Sequence, residues 1–171
     1  MKPLYVIKLG GSIITDKSRT DSTVFNTGTV DRLFAEIQVF RESTSADIIL
    51  VHGAGGYIHA LAHKHSLTKG ARHTPEGTTG CKLIHAANDQ LNQLITKSAT
   101  HHNITIEPVH PRKQVLQNKG RFVSLNTQKI TSLLKEGSVP VLYGEMVPDT
   151  AWNYSIFRGT LLYQRLLMYY P

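Results

Sequence analysis

The chain has 171 residues, 40% of them apolar and 18% charged, which suits one folded domain and excludes a disordered chain. No apolar run approaches the roughly 20 residues of a membrane helix, and Lys2 and Lys8 bracket a short apolar run where a secretory signal core would be longer. The net charge of +7 favours anionic partners such as a phosphorylated metabolite, a nucleotide or nucleic acid. The basic residues are scattered (Lys17, Lys69, Lys82, Arg112 and Lys135), which argues against nucleic acid.

Residues 4–9 (LYVIKL) form a short apolar run that ends at Gly10-Gly11, the pattern of a buried parallel strand. Val30, Leu33, Phe34 and Ile37 repeat at helical spacing, with Thr29 as the expected N-cap. A second strand, 47–51 (DIILV), ends at His52-Gly53. The polar, breaker-rich stretch 66–78 reads as an exposed, mobile loop. Cys81, the single cysteine, excludes an internal disulfide, fits a reducing cytosol and lacks the neighbours of a reactive thiol.

Ile84, Ala87, Leu91, Leu94 and Ile95 make a second helical stripe, expected in the core. Asn88 and Asn92 lie on a neighbouring face, open to two readings: amides lining a pocket, or amides facing solvent. A third strand is expected at 104–109 (ITIEPV). Asn126 then caps a helix carrying Ile130, Leu133 and Leu134, which Gly137 stops. The last strand, 139–143 (VPVLY), opens on Pro140, where proline is tolerated, and closes at Gly144. Strands alternating with helices predict an α/β fold, a mainly parallel sheet covered on both faces. Ligands of such sheets bind beyond the carboxyl ends of the strands. The chemistry is therefore expected at 8–17, 52–59 and 144–160.

Two of these junctions carry glycine loops suited to phosphate. In Lys8-Leu9-Gly10-Gly11-Ser12, paired glycines let backbone N–H groups approach an anion, Ser12 adds a hydroxyl, and Lys8 and Lys17 add charge. The order is neither the Walker pattern nor G-x-G-x-x-G. In His52-Gly53-Ala54-Gly55-Gly56-Tyr57-Ile58-His59, small residues open a helix whose N-terminus attracts anions. His59, one turn in, leans back toward that anion. His59, His63 and His65 share a helix region, but no H-E-x-x-H pattern marks a metal site, and a solvated face is the simpler reading. His101, His102 and His110 read as surface residues near element ends.

KLGGSIITDK (8–17) closely resembles the opening motif of isopentenyl phosphate kinases, a branch of the amino-acid-kinase superfamily. HGAGGYIHALA (52–62) is similar to their His-Gly-Ala-Gly-Ser-Phe-Gly-His segment, and VPVLYGEMVPD (139–149) to a third motif with Asp after the glycine. The resemblance covers nearly the whole chain in order. It implies an open αβα sandwich, a homodimer, and use of ATP and Mg²⁺ to phosphorylate isopentenyl phosphate to isopentenyl diphosphate, and the lone Cys81 suits the cytoplasmic location expected above. It implies that Lys8, Gly10, Gly11 and Ser12 meet the ATP phosphates, that Gly55 faces them, and that Lys17 stabilises the transition state. By the same resemblance Ala54, His59 and Gly159 hold the acceptor, and no residue ligates a metal.

Departures from the family pattern are Ile58 for a glycine, Gly56-Tyr57 for Ser-Phe, Glu145 for Asp, and Arg158-Gly159-Thr160-Leu161 for a Ser-Gly-Asp-Asp-like stretch that carries a carboxylate. Family members are longer. Residues 1–171 are expected to be one amino-acid-kinase-like domain, the acceptor-binding N-terminal portion, without the C-terminal part that holds adenine and ribose. The apolar segment 161–170 then calls for packing partners. Two alternatives stand beside the kinase reading: an acceptor such as fosfomycin or another small phosphate or phosphonate, and a non-catalytic phosphate-binding or dimerisation fragment.

Overall fold

The computed structural model describes residues 2–170 except 17, 19, 20 and 23. In chain order the elements are β1 (Leu4–Leu9), α1 (Gly11–Ile14), α2 (Thr27–Thr44), β2 (Asp47–His52), α3 (Gly55–Lys64) and α4 (Pro75–His101). Then follow β3 (Ile106–Pro108), β4 (Val115–Asn118), β5 (Arg121–Leu125), α5 (Gln128–Lys135), β6 (Val139–Tyr143), β7 (Glu145–Asp149), β8 (Asn153–Phe157) and α6 (Gly159–Tyr169). No helix among the described residues is long and apolar enough to cross a membrane.

The four expected strands form one parallel sheet in the order β1-β2-β6-β3. Its centre is β2, where Ile48 to His52 are all buried. Side chains alternate across a strand, so Ile48 and Leu50 face one layer and Ile49 and Val51 the other. The first layer joins them to Val139, Val141, Phe34 of α2, and Leu91 and Ile95 of α4. The second joins them to Leu142, Ile130 and Leu133 of α5, and Leu162 and Leu166 of α6. The sheet is thus covered on both faces by the chain's own helices. Each fully buried Leu, Ile or Phe contributes about 1.5–3 kcal/mol from desolvation.

A second four-stranded sheet, order β5-β4-β7-β8, stands beside the first. It is built of two antiparallel hairpins, β4–β5 and β7–β8. Residues 144–160 are therefore not a simple strand-to-helix turn. After Gly144 the chain runs out along β7, back along β8, and only then enters α6. Asp149 ties the two hairpin turns together, accepting from the N–H groups of Lys119, Gly120, Ala151 and Trp152 and from the Ser155 hydroxyl.

Local signals explain the other differences. Helix α2 starts at Thr27 with Asn26 at its N-cap, so Thr29 lies in the first turn. The Asn26 amide donates instead to the carbonyl of Ile13. The stretch 66–78 is not an exposed loop throughout. Leu67, Gly70 and Ala71 are buried, and Trp152 covers Gly70 so closely that a Cβ there would meet the indole at 2.8 Å. Thr74 then caps α4, accepting from the N–H of Gly77 at 3.0 Å, with Pro75 in the first turn. That Thr-Pro-Glu start signal is visible in the sequence. Leu94 is exposed, unlike its neighbours Leu91 and Ile95. Gly137 behaves as expected: with φ of 75°, it donates to the carbonyl of Leu134. Asn126 is displaced by one place, because the N-cap of α5 is Thr127, and Asn126 Oδ1 accepts from the N–H of Gln128 from just before the cap. In α6, Leu162 and Leu166 pack on the sheet, while Leu167, Met168 and Tyr169 face outward.

Candidate active site

Strands β1, β2 and β6 are adjacent and parallel, so their carboxyl ends open side by side. Each end passes into a glycine: Gly10 after β1, Gly53 after β2, Gly144 after β6. The main chains of these turns are in direct contact. A Cβ built on Gly53 would lie 2.5 Å from the nitrogen of Gly11. A Cβ on Gly144 would lie 2.9 Å from the nitrogen of Gly159 at the start of α6. No larger residue fits at either contact without moving backbone. Glycine is thus required here for close approach between loops, not only for approach to a ligand.

Above this floor is a cavity of about 400 Å³. Lys8, Gly10, Gly11 and Ser12 line it from the first loop; Ala54, Gly55 and His59 from the second; Gly159 from the start of α6. Every sequence-predicted site residue that the structure describes is therefore in one place. Lys17 lies outside the described residues. The N-termini of α3 and α6 both open on the cavity, adding partial positive charge. The Lys8 ammonium donates to the Thr160 hydroxyl at 3.0 Å, linking the first strand to the last helix across 152 positions.

Apolar side chains line the same cavity: Ile58 and Ala62 from α3, Ile84 from α4, Met146 from β7, Ile156 and Phe157 from β8. Sequence reasoning missed this wall. Ile58 stood out only as a departure, and β7 and β8 were not expected as strands. Arg158 and Thr160 also line the cavity, at positions the sequence marks only by the carboxylate they replace.

The wall is held from behind by a buried charged group. Glu145 is 2% exposed and also lines the cavity, but both its carboxylate oxygens are taken by Arg112, through backbone N–H and guanidinium. Burial pushes Glu145 up to about 7, and those contacts with Arg112 pull the other way. Arg112 also donates to both oxygens of Asp89 on α4, each at 3.0 Å. Beside this brace, His52 stacks on Tyr143, whose hydroxyl meets His110 Nδ1. His110 is half-buried against Tyr143 and Asp89, and His102 pairs with Asp31, so neither is a plain surface residue. Burial lowers the pKa of His52, so its ring is neutral and has one N–H to share between two oxygens, Gly53 O and Asn92 Oδ1.

Neither open reading of the two asparagines describes them. Asn92 supports His52, and the Asn88 amide donates to the carbonyl of Gly144, so both are buried behind the loops. Cys81 is buried, and desolvation pushes its thiol up to about 11, which suppresses the reactive thiolate.

Comparison with known proteins agrees with this geometry. The model of the amino acid kinase family matches residues 3–157. Isopentenyl phosphate kinase of Haloferax volcanii is 28% identical over 156 residues, covering 91% of this chain and 60% of the relative. That of Methanocaldococcus jannaschii is 28% identical over 162 residues, covering 91% and 61%. The chain thus spans about three fifths of the length of these curated relatives. A solved isopentenyl phosphate kinase superposes with a TM-score of 0.87 at 25% identity, covering 98% of this chain and 70% of that one. A substrate complex of such an enzyme gives 0.81 at 21% identity.

Proposed function

We propose that this chain, which belongs to the amino acid kinase family, is the acceptor-side portion of a phosphotransferase that moves the γ-phosphoryl group of ATP onto isopentenyl phosphate. The observation that carries this reading is the composition of one cavity: anion-binding main chain and cations share it with an apolar wall. An acceptor with a phosphate head and a short hydrocarbon tail uses both. The wall favours that tail over a compact polar acceptor such as fosfomycin.

In the proposed reaction an oxygen of the acceptor phosphate attacks the γ-phosphorus. The bond from that phosphorus to the bridging oxygen breaks, and ADP leaves with the electron pair. The work of the protein is positioning and charge stabilisation. Backbone N–H groups of Gly10, Gly11 and Gly55 hold phosphate oxygens, Lys8 offsets developing charge, and Ala54, His59 and Gly159 hold the acceptor. Lys17 is assigned to the transferring group by the family resemblance alone. Mg²⁺ brings charge neutralisation and orientation to a nucleotide's phosphates. The lining residues do not fit a protein-held Mg²⁺, because Glu145, the one carboxylate among them, is spent on Arg112. The ion therefore belongs to the nucleotide in this reading. A homodimer and a cytoplasmic location are part of the same proposal.

The test is phosphorylation of isopentenyl phosphate by the purified chain with ATP and MgCl₂, followed by ³¹P NMR. Diphosphate formation that falls at least tenfold in His59→Ala supports the proposal. A folded chain that binds isopentenyl phosphate without turnover points instead to a phosphate-binding module.

A further inference from the structure

The turn from β8 into α6 carries a charge that the kinase reading does not use. Arg158 is exposed, lines the cavity, and precedes Gly159 at the N-cap of α6. Its carbonyl accepts from the N–H of Leu162, which fixes its backbone at the helix start. Its guanidinium makes no ion pair among the described residues. Two residues on, the Thr160 hydroxyl accepts from Lys8. A hydroxyl tethers an ammonium without neutralising it, where a carboxylate would cancel its charge. The charges on this side of the cavity are therefore those of Lys8 and Arg158. They lie beside the Gly159 amide and the positive end of α6, with no free carboxylate among the lining residues to oppose them.

An arginine fork binds phosphate oxygens two at a time and keeps its charge at any relevant pH. Cations of this kind take over the neutralising work that a divalent ion does in many phosphate sites. We propose that Arg158 contacts the bound anion and that Arg158, Lys8 and the Gly159 amide together form a diphosphate clamp that works without a divalent cation. The ligand class is a diphosphate group without a bound metal, such as that of the diphosphate product. The proposal rests on the phosphate-cavity reading above and adds a residue and a metal-independence to it.

Inorganic pyrophosphate is the probe, titrated calorimetrically into the whole chain in EDTA and again in excess MgCl₂. The wild-type chain should bind in EDTA, with no more than a threefold gain from Mg²⁺. Arg158→Ala should weaken binding in EDTA about tenfold, the size expected for one charge-assisted contact. Arg158→Lys, which keeps the charge but loses the fork, should recover part of the loss. Because Arg158 is exposed and makes no internal ion pair, the thermal midpoint of both variants should match wild type, which separates a lost contact from a lost fold. Equal affinity of Arg158→Ala and wild type in EDTA overturns the proposal and leaves the kinase reading intact. Wild-type binding seen only with Mg²⁺ overturns it as well. Absence of pyrophosphate binding in both buffers overturns this proposal and the phosphate-cavity reading together. Turnover is not needed for any of these outcomes.

Discussion

The two ends of β7 each bury a carboxylate, and they solve the same problem in opposite ways. At the cavity end, Glu145 is held mainly by one arginine. At the far end, Asp149 is held by four backbone N–H groups and a hydroxyl. The outcomes diverge. Burial dominates at Glu145 and pushes it up to about 7. At Asp149 burial pushes the same way, but the Gly120 N–H, the Ser155 hydroxyl and the remaining amides outweigh it and hold the group down to about 2. Both have little exposed surface, at 2% and 4%, but Glu145 lies deeper and meets the larger desolvation cost, while Asp149 sits in a shallow turn with more fixed donors. The Asp149 end is a rigid clasp between hairpin turns, whereas the Glu145 end sits beside the ligand cavity on a single ion-paired brace.

Removing each clasp should break the contrast most strongly. Asp149→Ala leaves four amides and a hydroxyl without their acceptor, and each buried donor left unpaired costs about 1–3 kcal/mol, less where water reaches it. The expected loss is roughly 4 kcal/mol, a fall in thermal midpoint of about 10 °C, measured by calorimetry. Arg112→Ala strands a buried carboxylate and should cost about 3 kcal/mol at pH 8. At pH 5 the cost should shrink to about 1 kcal/mol, because Glu145 takes up a proton instead of staying charged. Denaturant titrations at both pH values check this. Equal losses at pH 5 and pH 8 would show that Arg112 acts by packing alone.

The two carboxylates should also leave opposite marks on the pH dependence of stability. Glu145 has a folded pKa above its ordinary 4.5. The native state then holds the proton more tightly than the unfolded state, so its contribution is complete below about pH 4.5 and is lost as pH rises through about 7. Asp149 is depressed from 3.8, so its contribution is present above that value and is lost as pH falls toward about 2. Glu145→Gln should flatten the stability profile between pH 5 and 8 without altering its acid limb. Asp149→Asn should do the reverse. A Glu145→Gln profile that keeps the wild-type slope from pH 5 to 8 would sink this assignment.

The contrast also shows what the sequence could and could not disclose. The floor of the cavity was legible because its requirements are local. Gly10-Gly11 and Gly53 follow apolar runs, and only glycine tolerates loops in contact at 2.5 Å from a would-be Cβ. The central strands were legible for the same reason, since Ile48 to Val51 are buried on both faces and carry no alternation. The wall was not, because its determinants are distant. Arg112 meets Glu145 across 33 positions and Lys8 meets Thr160 across 152. Strands β4, β5, β7 and β8 are only four or five residues long. Their polar positions Gln117, Asp149 and Ser155 face one another in the interior rather than water. A short strand with buried polar residues shows no period-two pattern of hydrophobicity.

The smallest effect should come from the outer member of the brace, and it decides whether the brace is a pair or a network. Asp89 accepts at both oxygens from a single Arg112 nitrogen, Nη2, and its side chain is 40% exposed. Solvent screens such a pair, and exposed ion pairs rarely exceed about 1 kcal/mol. Asp89→Asn also keeps one oxygen as an acceptor for the guanidinium. If the brace is in essence the buried pair, this variant should lose less than about 1 kcal/mol and make the pH 5 to 8 slope slightly shallower, since Glu145 keeps its partner and loses a like charge that raises its pKa. If Asp89 is what orients the guanidinium, the loss should approach that of Arg112→Ala and the slope should steepen, because a misaligned Arg112 no longer pulls Glu145 down. The full burial of the Glu145 side chain against the exposure of Asp89 favours the first outcome. The wall of the cavity would then depend on one buried ion pair, with Asp89 adding alignment at the surface.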